Sequence, residues 1–202
     1  MNEYAADYQR RFDTFLQIVA SRLEQQIGTY LRDARNLDRI TARAKDPERF
    51  AEKADRRDAQ GRQKYSRPLT EIQDLLGARV VVFYRGDVDG IVETITRYFR
   101  PIEQRELVPD SQWAFGYFGQ HLILPTPRDV IPEDVNVDEV PRFFELQIKT
   151  MFQHAWSEAN HDLGYKPDRP LTTDQERLLA YTAAQAWGAD RVFDELRVEL
   201  GR

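Results

Sequence analysis

The sequence predicts a mixed α/β or α+β domain, and three stretches carry that prediction. Phe143 to Lys166 reads as a strand running into a helix, Ala78 to Tyr84 (ARVVVFY) as a buried strand, and residues 5 to about 33 as an amphipathic helix. In the first, alternation puts Glu145, Gln147 and Lys149 on one strand face and Phe144, Leu146 and Ile148 on the other. A strand made only for a core has no use for that polar row. Thr150 can cap the helix that follows, on which His154, Glu158 and His161 recur at i, i+4 and i+7 and so share a face. A polar-faced strand leading into a polar-faced helix reads as the wall of an active site.

Taken in order, Tyr8, Phe12, Phe15, Leu16, Val19, Leu23, Ile27 and Tyr30 keep helical spacing through the first segment. Asn36 to Lys45 holds room for a short strand. Asp46-Pro47 reads as an N-cap and first helical position, opening a helix to about Ala59 that places Arg49, Lys53 and Arg56 on one face. Stacked like charges repel by a few tenths of a kcal/mol per pair, and an anion between them would remove that cost. Glu48, Glu52 and Asp55, one residue offset, offer the alternative of ordinary surface ion pairs. A short helix from Leu69 to Leu76, closed by Gly77, precedes the buried strand, and Asp74 and Arg79 bracket the junction. Charges at the mouth of a buried strand need a partner or a ligand.

Asp87 to Phe99 has the pattern of a crossover helix, and Ile102 to Leu107 that of a returning strand. A turn-rich loop, Val108 to Gly116, carries Trp113 and Phe115, and Tyr117 and His121 follow as the chain enters another strand. Pro125 to Pro141 is an acidic, proline-rich surface excursion. A Thr173-x-x-Glu176 capping box opens a last helix to about Leu200, with Leu179, Trp187, Val192, Leu196 and Leu200 as apolar contacts.

With 202 residues, 41% hydrophobic and 31% charged, one domain over 1–202 is expected. The absence of cysteine excludes disulfides, thiolate metal sites and a cysteine nucleophile. No basic-then-apolar leader and no long apolar run is present, so a cytoplasmic protein without membrane contact is expected. Charge is unevenly placed. Residues 39 to 67 carry ten Lys/Arg against five acids, a local +5 within a chain of net −5, which fits a local polyanion such as a nucleoside triphosphate.

Two carboxylates from separate elements, Asp74 and Glu145, together with a cationic helix and the aromatic Tyr117, are the parts that phosphoryl or nucleotidyl transfer uses. Walker, Rossmann and kinase signatures are missing. A zinc site on His154, Glu158 and His161 is disfavoured because HxxxExxH lacks the i, i+4 histidine pair of HExxH helices.

Arg43-x-Lys45 with Lys53, Asp74 to Arg79 (DLLGAR), Gly116 to His121 (GYxxxH), and ELQIKT with HAWSExxHDLxYK resemble the RelA/SpoT synthetase domain, in the same order, over about 43 to 166. In size the chain is similar to the single-domain small alarmone synthetases. The resemblance implies a nucleotidyltransferase-like α+β fold, a mixed sheet flanked by helices, that moves the β,γ-diphosphate of ATP to the 3′-hydroxyl of GDP or GTP and releases AMP. It implies that Arg43 and Arg79 sandwich adenine, that Lys45, Lys53 and Arg56 hold the ATP phosphates, and that Asp74 and Glu145 bind Mg²⁺. Glu145 would take the 3′-hydroxyl proton, Tyr117 would stack on the acceptor base and His121 would meet its phosphates, supported by Gln147, Lys149, His154 and Glu158. Two departures touch this pattern: Arg49 stands where the family often has Ser, and Phe118-Gly119 replaces the x-S of Y-x-S-x-H. The second bears on the acceptor, since toxin branches of the family use adenine nucleotides or the 3′ CCA end of tRNA. A silent nucleotide- or RNA-binding module is the remaining alternative. The resemblance also implies a homo-oligomer, often a tetramer, and admits an antitoxin partner.

Overall fold

Five strands, β1 (Leu37–Ala44), β2 (Leu76–Val82), β3 (Glu103–Glu106), β4 (Gln120–Pro125) and β5 (Phe143–Thr150), form one sheet in the order β1-β2-β5-β4-β3. The computed structural model describes residues 2–106, 115–117, 119–164 and 170–201. β2 and β5 pair in parallel at the centre, and every other pair is antiparallel. That mixed sheet decides for α+β.

Alternation sorts the side chains onto two unlike faces. On one, Ala78, Val80, Val82, Leu122, Leu124, Phe144, Leu146 and Ile148 are all nearly or fully buried. Helices α2 (Leu16–Tyr30), through Val19, Leu23 and Ile27, and α5 (Val88–Tyr98), through Ile91 and Ile95, belong to the same core. Each such aliphatic side chain contributes about 1.5–3 kcal/mol of burial, so this face fixes the sheet. The other face is polar. Paired positions across it run Thr41, Arg79, Gln147, His121, Arg105, and one pleat along, Arg43, Gly77, Glu145, Ile123, Glu103. Helix α6 (Met151–Gly164) borders this face, and α7 (Thr173–Glu199) packs on α6.

Several boundaries differ from the sequence reading. The first segment is two helices, α1 (Glu3–Phe12) and α2, because α1 packs on α3 (Pro47–Ala54) while α2 packs on β1 and β2. The 3.6-residue spacing runs through the break unaltered, which hides it. Helix α3 stops at Ala54 rather than Ala59: Asp58 accepts from the backbone N–H groups of Gln60 and Arg62 and draws the chain into a turn, with Arg57 bridged to Gln63. Arg56 therefore lies beyond the helix that carries Arg49 and Lys53. Only Pro68–Glu71 is helical before β2 (helix α4), and Gly77 sits inside the strand instead of capping a helix.

The capping box of α7 is Thr172 with Gln175, one residue earlier than expected, the run TTDQE fitting both frames. Its buried face also differs: Val192, Leu196 and Leu200 are exposed, whereas Ala183 and Asp190 are buried. The acidic excursion is less superficial than expected, since Val130 and Val140 join the core. The loop positions Val108 to Ala114, including Trp113, with Phe118 and Tyr165-Lys166, lie outside the described residues. No helix among the described residues is long and apolar enough to cross a membrane.

Candidate active site

The end of β1 and the start of β2 are stitched by the Lys45 N–H, which donates to the Leu75 carbonyl at 2.8 Å. This puts Lys45 beside Asp74. Lys45 Nζ donates to Asp74 Oδ2 at 2.7 Å, and Lys53 Nζ, from the inner face of α3, pairs with Oδ1 at 2.9 Å. Asp46 orients that helix by accepting from the Glu48 and Arg49 N–H groups. Burial pushes the Asp74 carboxyl up, but the two ammonium groups together outweigh it and hold it below its ordinary range. Arg43 and Arg56 are exposed nearby in the chain. Gly77 pairs with Arg43 on one side and Glu145 on the other, and a Cβ built there would meet nothing within 4 Å, so a notch opens between a cation and a carboxylate.

Glu145 stands on the polar face of β5, as its alternation requires. His121 Nδ1 lies 2.9 Å from Glu145 Oε1, and Gln147 Nε2 donates to Oε2 at 3.1 Å. Burial raises this carboxyl, the His121 contact lowers it by more, and Asp74 adds an upward push; the balance keeps Glu145 below its usual value. The push that Asp74 exerts on Glu145 puts Glu145 within reach of the Asp74 charge. The other nitrogen of His121, Nε2, is buried with no hydrogen-bond partner.

Arg79 joins the sheet to α6. Its guanidinium pairs with Glu158 at 2.9 Å, meets His154 Nδ1 at 3.1 Å and reaches Gln147 Oε1 at 3.4 Å. Burial and the Arg79 charge lower the His154 pKa, so the imidazole is neutral and accepts through Nδ1. Lys149, 4% exposed, donates to Ser157 Oγ at 2.9 Å; burial, then Arg79, pushes its ammonium down to about 8. The structure thus brings Asp74, Lys45, Lys53, Glu145, His121 and Gln147 together, and gathers Arg79, His154, Glu158 and Lys149 beside them. His161, one turn on, is exposed, and among the described residues no three His, Asp or Glu side chains are grouped so as to hold a metal.

Tyr117 lies elsewhere. It is 7% exposed, packed with Trp156 and Ala183 and with Phe152, Ala186 and Trp187 around them, and its hydroxyl donates to Asp190 Oδ2 at 2.6 Å. Thr150 Oγ1 donates to the same oxygen at 2.5 Å and accepts from the Gln153 N–H at the start of α6. Asp190 was missed by the sequence reading. Its signal was there: Ala183, Trp187 and Asp190 fall at i, i+4 and i+7, a lone carboxylate on an apolar stripe. Burial pushes this carboxyl up.

Comparison with known proteins agrees with this architecture. The model of the region found in RelA/SpoT proteins matches residues 42–169. GTP pyrophosphokinase YjbM of Bacillus subtilis is 25% identical over 176 residues, 85% of this chain and 77% of its own length. The crystal structure of small alarmone synthetase 1 from Bacillus subtilis superposes with a TM-score of 0.76 at 22% identity, covering 96% of this chain and 98% of the other. The same synthetase bound to its product pppGpp gives a TM-score of 0.74 at 21% identity, with 96% and 98% covered. The family match spans more than half of the sequence, and the chain belongs to the RelA/SpoT family.

Proposed function

We propose that this protein transfers the β,γ-diphosphate of ATP to the 3′-hydroxyl of GDP or GTP, forming (p)ppGpp and AMP. The observation that carries the reading is the pair of ionised carboxylates, Asp74 paired with Lys45 and Lys53, and Glu145 close enough to feel the Asp74 charge and one strand beyond Gly77 from Arg43. A binding module has little need of two such groups. The name of the Bacillus pyrophosphokinase relative and the product-bound synthetase structure support the same reaction class.

Lys45 and Lys53 would leave Asp74 for the donor phosphates, neutralising charge that builds up on the leaving α-phosphate. Arg43, across the Gly77 notch, and Arg56 would extend that cationic surface, and Arg79 would meet adenine once its guanidinium is released from α6. Glu145 would accept the proton of the 3′-hydroxyl. The freed oxygen bonds the β-phosphorus, the bond from that phosphorus to the α-phosphate oxygen breaks, and AMP departs. His121, with Nδ1 engaged by Glu145, would turn its unpartnered Nε2 to an acceptor phosphate. Gln147, Lys149 and His154 would line the acceptor side, and Tyr117 would stack on its base.

The donor set fits Mg²⁺: two hard carboxylates, both ionised, with no soft ligand nearby. Asp74 and Glu145 would hold the ion, which would supply charge neutralisation on the phosphates.

A second reading, transfer to the 3′ end of tRNA, is favoured by one observation. Arg39, Arg43, Arg49, Arg56, Arg57, Lys64 and Arg67 of the basic segment are all exposed. Incubation with ATP and Mg²⁺ and one acceptor at a time (GDP, GTP, ADP or deacylated tRNA) separates the readings. AMP with labelled GDP or GTP product is expected; label on tRNA alone would replace the first reading by the second, and no AMP with any acceptor would sink both. The exposed apolar side chains of α7, Val192, Phe193, Leu196 and Val198, support a homo-oligomer.

A further inference from the structure

The carboxylate of Asp190 is fully buried in α7, yet the transfer reaction has no use for it. Three facts locate its role. Both of its strong partners, Tyr117 Oη and Thr150 Oγ1, converge on a single oxygen, Oδ2, and Oδ1 is buried without a partner. Thr150 ends the strand that carries Glu145, Gln147 and Lys149. Gly119, two residues after Tyr117, takes φ +92° with its backbone pressed so close to β5 that a Cβ would lie 2.6 Å from the Ile148 carbonyl oxygen. Gly119 is therefore seated against the end of the catalytic strand, in a place only glycine permits.

In that seat the Tyr117 ring cannot stack on anything else. It is 7% exposed, and Trp156 and Ala183 cover it. The geometry points to Asp190 as a positioning residue that stows Tyr117 in the α6–α7 cleft, so that the acceptor nucleotide binds only the fraction of molecules in which the ring has left it. This rests on the acceptor role given to Tyr117 above. Apparent acceptor affinity is then the intrinsic affinity scaled down by the open fraction, and anything that weakens the Tyr117–Asp190 bond tightens acceptor binding without touching the donor.

The test is steady-state AMP formation with GDP and GTP as varied acceptors for Tyr117→Phe, which keeps a stacking ring and removes only the hydroxyl. A hydrogen bond to a charged group corresponds to about tenfold in an equilibrium, so the acceptor KM is expected to fall several-fold, towards tenfold, with the ATP KM unchanged. Asp190→Ala should move the acceptor KM the same way, and Tyr117→Phe keeps the test decisive if that variant does not fold. A Tyr117→Phe acceptor KM equal to or above wild type would overturn the proposal. Tyr117→Ala separates the two layers: with its acceptor KM raised, such a failure sinks the stowed state alone. An unchanged acceptor KM in Tyr117→Ala removes Tyr117 from the acceptor site and overturns the inference with it. A lowered Tm in Tyr117→Phe without the KM split would leave the bond a structural one and likewise overturn it.

Discussion

At the scale of single residues, the same strand carries both the carboxylate proposed to take the proton and a buried ammonium that costs stability. Glu145 is held ionised by His121 and Gln147, and Glu145→Gln keeps the shape while removing that charge. The expected outcome is loss of AMP formation with ATP binding within a few-fold of wild type, read by turnover and by calorimetric titration of ATP; wild-type-like turnover would take the proton-acceptor role away from Glu145. Lys149 is the opposite case. A fall from the ordinary value to about 8 in a residue 4% exposed corresponds to roughly 3 kcal/mol at most. Below about pH 8 the ammonium is protonated folded and unfolded, so the whole penalty is present. Between about pH 8 and the ordinary lysine value the folded chain gives up its proton first, and stability rises with pH through that window. Lys149→Met should therefore be more stable than wild type at pH 7 in urea unfolding, with the gap closing above pH 10; a gap independent of pH would mean that the gain is only packing. The polar row of β5 was legible from period-2 alternation, but the Tyr117–Asp190 bond was not, because it joins positions 73 apart and a lone carboxylate on the α7 stripe does not name its partner.

At the scale of elements, what the sequence shows is periodicity, and what it hides is where a period is interrupted by tertiary packing. β5, α5 and the strand of β2 were readable because each is one unbroken pattern between turn signals. The gap between α1 and α2 was not, since the apolar spacing continues across it while the two helices serve different partners. Helix α3 ends early for a local reason, the Asp58 turn, and with it Arg56 leaves the row of cations. Its N-cap is the part with consequences for the site. Asp46→Ala removes an acceptor for two backbone N–H groups and should cost about 1 kcal/mol of stability. Because α3 aims Lys53 at Asp74, ATP affinity should fall as well, with acceptor KM unaffected; equal loss for both substrates would point to general unfolding instead. The approach to β4 gives the complementary case. Gly119→Ser restores the side chain common in the family, yet at φ +92° and against the Ile148 carbonyl it should destabilise this chain by about 1–3 kcal/mol in thermal or urea unfolding. An unchanged Tm would mean that the backbone relaxes there at no cost.

At the scale of the whole molecule, the question is what the +5 segment between residues 39 and 67 is for. Its charge is not one thing: Lys45 and Lys53 are half-buried on Asp74, Arg62 is paired with Asp58, and the others stand exposed. In the proposed reaction the inward pair would serve the donor phosphates whichever acceptor is used. The outward set is dispensable for a nucleotide acceptor but is what a tRNA acceptor stem would need, since each neutralised phosphate releases counterions and steepens the salt dependence of binding. The rest of the chain, at −10, repels a long polyanion everywhere else. For the nucleotide reading, raising salt from about 50 to 200 mM should weaken acceptor use only modestly, and charge reversal at Arg57, Lys64 and Arg67 should leave the GDP and GTP KM values within about twofold, because the proposed nucleotide sites use none of these three cations. A fall in acceptor use by orders of magnitude over that salt range, abolished by the same three reversals, would require phosphates spread over the outer surface of the basic segment, and a nucleotide acceptor has too few to reach it.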